Sequence, residues 1–146
     1  MKILVIIVRV LLGLMFVVFG LNGFLHFIPM KGPMPEGLAG DFTRALSASH
    51  YMDVVAALQV LGGALCLLGG RFVPLGLLVL GPVIVNILLF HILLMPKNVA
   101  PGIVAAVFSL FLLWAYRHAF ACLMPGNVLA SRPTAANTGP TSAPTK

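Results

Sequence analysis

Residues 58–94 read LQVLGGALCLLGGRFVPLGLLVLGPVIVNILLFHILL, and this stretch determines the fold. Its one charged residue, Arg71, stands beside two glycines that separate two long apolar runs. Each run approaches the roughly 20 residues that a helix needs to cross a hydrocarbon core about 30 Å thick. Because the connection Gly70-Arg71 is only about two residues long, the two helices must be antiparallel neighbours. The stretch therefore predicts a membrane-embedded helical hairpin.

Apolar stretches of this kind fill most of the 146 residues. They cover residues 3–27, 52–70, 72–95 and 99–123. Hydrophobic residues make up 60% of the chain and charged residues 8%, against about 25% charged in a soluble domain. A water-soluble fold of this size cannot bury so much apolar surface. We therefore expect an all-α integral membrane protein, with residues 1–124 forming a bundle of four transmembrane helices.

The longest connection, residues 28–50, contains a further helical pattern. Leu38, Phe42 and Leu46 recur every four residues, with Asp41 and Arg44 on the opposite face. This spacing predicts a short amphipathic helix lying at the membrane interface on the outer side. The alternative is an ordinary surface loop, because two glycines in this segment weaken a helix.

The C-terminal segment, residues 125–146, differs in composition from the rest of the chain. It is rich in Ala, Thr, Pro and Ser and has few apolar side chains to bury. Such a segment does not gain enough from burial to offset its conformational entropy. We expect a disordered cytoplasmic tail, to which no role is assigned.

Basic residues lie mostly beside the ends of the apolar stretches, which argues for a role in topology. A net charge of +6 could suggest nucleic acid, but such binding needs a clustered basic patch, so we expect no nucleic-acid partner. With four spans, six basic residues fall on the side of both termini and three on the other. The six are Lys2, Arg9, Arg71, Arg117, Arg132 and Lys146, and the three are Lys31, Arg44 and Lys97. The positive-inside rule then places both termini in the cytoplasm of a bacterium, with the protein in its inner (plasma) membrane.

Polar side chains inside the apolar stretches fall in the outer half of the predicted bundle. They are Asn22, His26, Gln59, Asn86 and His91. Polar groups inside a membrane are costly and often functional, so these five form the predicted ligand-binding site. The structural alternative is that the amides join helices and the histidines reach the head-group region. Asn86 and His91 are five residues apart, about 140° around a helix, so a regular helix cannot direct both into one groove.

The chemistry of these side chains suits a neutral ligand that carries carbonyl oxygens. No Asp or Glu lies in the interior of a span, which argues against a proton-coupled pump. A quinone head group fits donors such as Asn, Gln and His, and an imidazole can exchange protons with a quinol. Two histidines on different helices could also ligate haem, but nothing in the sequence determines their separation, so haem is disfavoured. We predict no metal site.

Three segments together resemble the DoxX family of small bacterial membrane proteins. They are RVLLGLMFVVFGLNGFLHFIP at residues 9–29, the stretch 58–94 quoted above, and WAYR at residues 114–117. The resemblance covers about residues 8–117 and implies a four-helix membrane fold. The family's namesake is a subunit of a thiosulfate:quinone oxidoreductase, while most members have no assigned activity. Asn22, Asn86 and His91 match motif positions, but the resemblance carries over no catalytic residue.

These features leave two main hypotheses about function. The first is a DoxX-type membrane protein that serves quinone-linked redox metabolism as a subunit or an accessory protein. The alternative is a non-enzymatic membrane partner or scaffold protein without a cofactor, and a small-solute permease built from an oligomer is a third reading. Besides the lipid bilayer, we expect a protein partner or a homo-oligomer. No catalytic motif can be identified, so whether the chain is an enzyme stays open.

Overall fold

The computed structural model describes residues 1–28, 36–96 and 99–121, which are helical and contain no strand. The predicted tail, residues 125–146, lies outside these described residues. The helices are α1 (Lys2–Leu25), α2 (Leu38–Ala48), α3 (Tyr51–Leu68), α4 (Phe72–Leu93), α5 (Ala100–Ala115) and α6 (Arg117–Ala121). The all-α prediction is confirmed for this part of the chain.

The four longer apolar helices pack in the cyclic order α1, α3, α4 and α5. Their shared core contains the fully buried side chains of Leu12, Cys66, Leu80 and Leu112, one from each helix. We call the end where α1 begins the N-terminal end. The opposite end, which contains His26, His50 and His91, is called the histidine end.

Three of the described helices have the length and hydropathy to cross a membrane. They are α1, α3 and α4, with 24, 18 and 22 residues. Most of their side chains are at least partly exposed in the isolated protein, and the fully exposed ones are mainly apolar. Large exposed apolar faces are what lipid contact requires, so the prediction of a membrane protein is supported by both length and surface.

The fourth apolar stretch differs from its prediction as one span over residues 99–123. Helix α5 has 16 residues, about 24 Å at 1.5 Å per residue, and ends at Ala115 with Tyr116 as its C-cap. A separate short helix, α6, begins at Arg117, the one charged residue of the predicted span. The ordered apolar helix is therefore shorter than the predicted span. Its C-terminal end nevertheless meets the start of α1, because Lys2 and Arg117 line one cleft.

Glycines allow α1 and α3 to approach until their backbones touch. A Cβ at Gly63 would lie 2.8 Å from the carbonyl oxygen of Gly13 and 2.9 Å from the amide nitrogen of Val17. About two turns further along α1, a Cβ at Gly20 would lie 2.8 Å from the carbonyl oxygen of Ala56. Side chains larger than hydrogen are excluded at these positions. Small residues on α3 such as Gly63 therefore let the two helices pack closely, as in many membrane helix pairs.

The neighbouring glycine of α3, Gly62, allows a similarly close contact with α4. A Cβ at Gly76 would lie 2.8 Å from the carbonyl oxygen of Gly62. The turn between the helices contains Gly69 and Gly70, with φ angles of 77° and 55° that favour glycine. The predicted tight antiparallel hairpin is therefore present, and α3 lies between α1 and α4.

Helix α2 forms over the predicted amphipathic segment and packs on α3. Its buried residues are Ala39 and Gly40, whereas Leu38 is 80% exposed. Phe42 stacks on Phe90 of α4 with ring centroids 5.8 Å apart. The helix is thus confirmed, but its small residues make the contact with the bundle and part of the predicted apolar face remains exposed.

Candidate functional site

Asn22 and His26 form the C-terminal cap of α1. The amide of His26 donates to the carbonyl oxygen of Asn22 at 3.0 Å, and His26 adopts a left-handed conformation with φ 51°. The carboxamide oxygen of Asn22 then accepts a hydrogen bond from the amide of Ile28 at 2.6 Å. Asn22 therefore has a structural task, which is to satisfy a backbone donor just beyond the helix. The imidazole of His26 is exposed, and its Nδ1 donates to the carbonyl oxygen of Phe24 at 3.2 Å.

Gln59 lies on the side of α3 that carries Gly62 and Cys66, one and two turns further on. Both of these residues contact α4 at Gly76 or Leu80. Gln59 is half-buried and makes no hydrogen bond with the described residues. Its amide is thus available to a ligand, to lipid or to another helix.

Asn86 and His91 lie on different faces of α4, as their spacing requires. Asn86 is exposed on the face that also exposes Val85 and Leu89, and it has no hydrogen bond within residues 1–28, 36–96 and 99–121. His91 is half-buried, and its Nδ1 donates to the carbonyl oxygen of Ile87 at 2.8 Å. The structure therefore does not bring these two side chains into one groove.

The packing register gives the relative depth of the five polar residues. Extending the approach of Gly20 to Ala56 places Asn22 level with about residue 54 of α3, and extending that of Gly76 to Gly62 places Asn86 level with about residue 52. Gln59 lies between one and two turns deeper than these positions, and the two histidines lie about one turn nearer the histidine end. All five thus occupy the same half of the bundle, but they point in different directions around it.

Two aromatic rings and the imidazole of His91 form a row that joins α2 to α4. The ring of Phe90 meets the imidazole of His91 edge to face, with centroids 5.5 Å apart. Phe42 from α2 stacks against Phe90 at 5.8 Å. Because Nδ1 of His91 is committed to Ile87, the neutral imidazole presents Nε2 as a hydrogen-bond acceptor. Phe90 could not be singled out from the sequence, since it is one apolar residue among many.

A second pair at this end also escaped sequence reasoning. His50 begins α3 with φ 57°, and its Nδ1 donates to a carboxylate oxygen of Asp53 at 3.0 Å. The only available signal was a histidine three residues before an aspartate at a helix start. Both side chains are exposed, so water screens the attraction between them.

Metal-ligating side chains do not cluster in the described part of the chain. No group of three or more His, Cys, Asp or Glu side chains is close enough there to hold an ion. Cys66 is a free, buried thiol in the core between α3 and α4, while Cys122 lies outside the described residues. The comparisons add no constraint: the chain matches no protein-family model, no curated protein and no solved structure.

Proposed function

We propose that this chain is a DoxX-type integral membrane protein that serves quinone-linked redox metabolism as a subunit or an accessory protein. In this proposal four helices span the inner membrane of a bacterium, with the N-terminal end in the cytoplasm and the histidine end outward. The quinone or quinol head group binds at the histidine end, around His91. The third hypothesis, a permease, has no structural feature in its favour among the described residues.

The observation that supports this site is the half-buried imidazole of His91, which meets the ring of Phe90 edge to face. Its Nδ1–H is held by the carbonyl oxygen of Ile87, which orients the ring and leaves Nε2 for a ligand. The neutral imidazole can accept a hydrogen bond from a quinol hydroxyl, and the protonated form can donate to a quinone carbonyl. Phe90 and Phe42 offer faces and edges against which a quinone ring can pack.

Among the polar residues predicted for the site, the structure favours His91 and Gln59 as ligand contacts. Both are half-buried and have at least one polar group without a partner among the described residues. Asn22 is engaged in capping α1, and His26 and Asn86 are exposed. We therefore centre the proposed site on His91, beside Phe90 of α4 and Phe42 of α2.

Quinone binding is tested with the purified full-length protein. Mass spectrometry of its lipid extract after mild detergent extraction should detect a bound quinone. Equilibrium dialysis with a decyl-chain benzoquinone should then show a weaker affinity for His91→Phe, by one lost hydrogen bond of about 0.5–1.5 kcal/mol, which is roughly two- to twelvefold. His118→Phe makes the same substitution at the N-terminal end and should bind like the parent. A parent that binds no quinone, or equal affinities for His91→Phe and the parent, would reject the proposal.

One observation favours the alternative, a membrane partner or scaffold protein without a cofactor. Asn86 is exposed among apolar side chains of α4, where a lipid tail offers its amide no hydrogen bond. An amide in that position gains by pairing with another membrane helix, from a second copy or from a different protein. Crosslinking through Val85→Cys in membranes would capture such a neighbour. Recovery of a partner together with the absence of quinone would make this alternative the better description.

A further inference from the structure

An open cleft of about 530 Å³ lies at the N-terminal end of the bundle, far from the proposed quinone site. Val5 and Ile6 of α1 form one wall, and the indole of Trp114 forms part of the other. Lys2 and Arg117 line the same cleft from the start of α1 and the start of α6. The cleft therefore combines an apolar lining with two positive charges.

No Asp or Glu side chain of this chain lies near that charge. The chain contains three acidic residues, and all of them lie toward the histidine end, in or beside α2 and at the start of α3: Glu36, Asp41 and Asp53. Two of these form ion pairs there, Asp41 with Arg44 and Asp53 with His50, each at 3.0 Å. The positive charges of the cleft consequently have no acidic partner among the described residues.

The guanidinium of Arg117 is already held in position. Its Nη1 donates to the carbonyl oxygen of Trp114 at 3.3 Å, and its central carbon lies 5.0 Å from the centroid of the indole ring. These contacts use one of the five N–H donors of an arginine and leave the others available. A guanidinium held this way loses less conformational entropy when it binds a phosphate through two parallel hydrogen bonds.

We propose that this cleft binds the head group of an anionic phospholipid, with its phosphate between Lys2 and Arg117. The apolar lining favours a lipid over a soluble phosphate, because a free anion gains nothing from Val5 and Ile6. Ile6 is 50% exposed and Trp114 is 53% exposed, so the cleft continues into helix faces that acyl chains can cover. Tryptophan is also the residue that prefers the boundary between head groups and hydrocarbon. The proposal is independent of quinone binding, since the two sites lie at opposite ends.

Trp114 is the only tryptophan of the chain, so its fluorescence reports on this cleft alone. The full-length protein is reconstituted into phosphatidylcholine vesicles in which a rising fraction of lipid is brominated on its acyl chains. Brominated phosphatidylglycerol should quench Trp114 at a lower mole fraction than brominated phosphatidylcholine does. The ratio of these mole fractions measures the preference of the cleft for an anionic head group.

Charge-removing variants identify the groups responsible for the preference. Lys2→Gln and Arg117→Gln should each lower it by about fivefold, the effect of one basic residue near an anionic surface. Arg71→Gln is the matched control, because Arg71 lies at the same end but outside the cleft, over the ring of Phe72 at 5.4 Å. Both Lys2 and Arg117 are exposed, so their removal should leave the melting temperature unchanged. Quenching of each variant is normalised to its own unquenched fluorescence, since Arg117 touches the indole.

Three outcomes would each reject the proposal for a different reason. Equal quenching by the two brominated lipids in the parent would mean that the cleft does not select anionic lipid. An equal loss in Arg71→Gln would mean that the preference comes from the overall charge of this end. Relief of quenching by glycerol 1-phosphate in the aqueous phase would mean that the cleft binds a soluble phosphate instead. Loss of quinone binding with an intact lipid preference would affect only the function proposed above.

Discussion

The two ends of the bundle differ in whether their charged side chains have partners within the chain. At the histidine end, polar side chains bond to the protein itself: Asn22 to an amide, His91 to a carbonyl oxygen and Asp41 to Arg44. At the N-terminal end, Lys2 and Arg117 face a cleft with no acidic residue near them in the sequence or in the described structure. Asp41 and Asp53 are therefore paired within the chain, whereas Lys2 and Arg117 have no acidic partner among the described residues. This difference motivates the proposal that the N-terminal end binds an external anion.

The largest expected effect concerns which end faces the cytoplasm. Single cysteines at Ser47 and Asn127, placed in a chain lacking Cys66 and Cys122, should react differently with an impermeant thiol reagent in intact cells. The six-to-three distribution of basic residues predicts labelling at Ser47 and none at Asn127. Labelling at Asn127 alone would reverse the topology and would place the basic cleft on the outer side.

The next largest effect is expected at the close contact of α1 with α3. This contact holds the two ends of the bundle in register, so its loss should disturb both. Gly63→Leu forces a side chain against the backbone of Gly13 and should destabilise the protein by about 1–3 kcal/mol. Gly81→Leu is the control, since a Cβ at Gly81 meets nothing within 4 Å. The melting temperatures in detergent are compared. Equal values for the two variants would show that α1 and α3 are not packed through Gly63.

A smaller effect distinguishes the two asparagines at the histidine end. Asn22→Leu removes the acceptor for the amide of Ile28 and should cost about 0.5–1.5 kcal/mol. Hydrogen exchange at that amide should become faster at the same time. Asn86→Leu removes no bond within the described residues and should leave stability in a monomeric detergent complex unchanged. If Asn86→Leu is the more destabilising of the two, Asn86 is covered by another helix even in detergent.

The smallest effect is expected at the exposed ion pair of α2. Arg44 and Asp41 are 64% and 70% exposed, so their attraction is screened by water. Arg44→Gln should lower stability by less than about 0.5 kcal/mol. It should also leave the anionic-lipid preference at Trp114 unchanged, in contrast to Arg117→Gln. An equal loss of lipid preference in both variants would remove the distinction between the paired and the unpaired end.

The sequence by itself determined the helices and the level of the polar groups. Hydropathy is a property of each residue in turn, so three spans and the glycine turn at Gly70 could be located without a structure. The spacing of Asn86 and His91 likewise showed that they could not share a groove. The resemblance to the DoxX family and the quinone-linked function stay proposals, since no comparison bears on them.

Only the tertiary structure decided what each polar side chain does. Asn22 caps a helix because His26 adopts the left-handed conformation that ends α1, and local sequence does not specify that conformation. The end of α5 at Ala115 was not visible either, since no proline or glycine marks it. The basic cleft joins Lys2 to Arg117, which are distant in the chain and meet only when α5 packs beside α1. Contacts between residues that are distant in the sequence depend on the register of whole helices. That register results from cooperative packing, and no short stretch of residues encodes it.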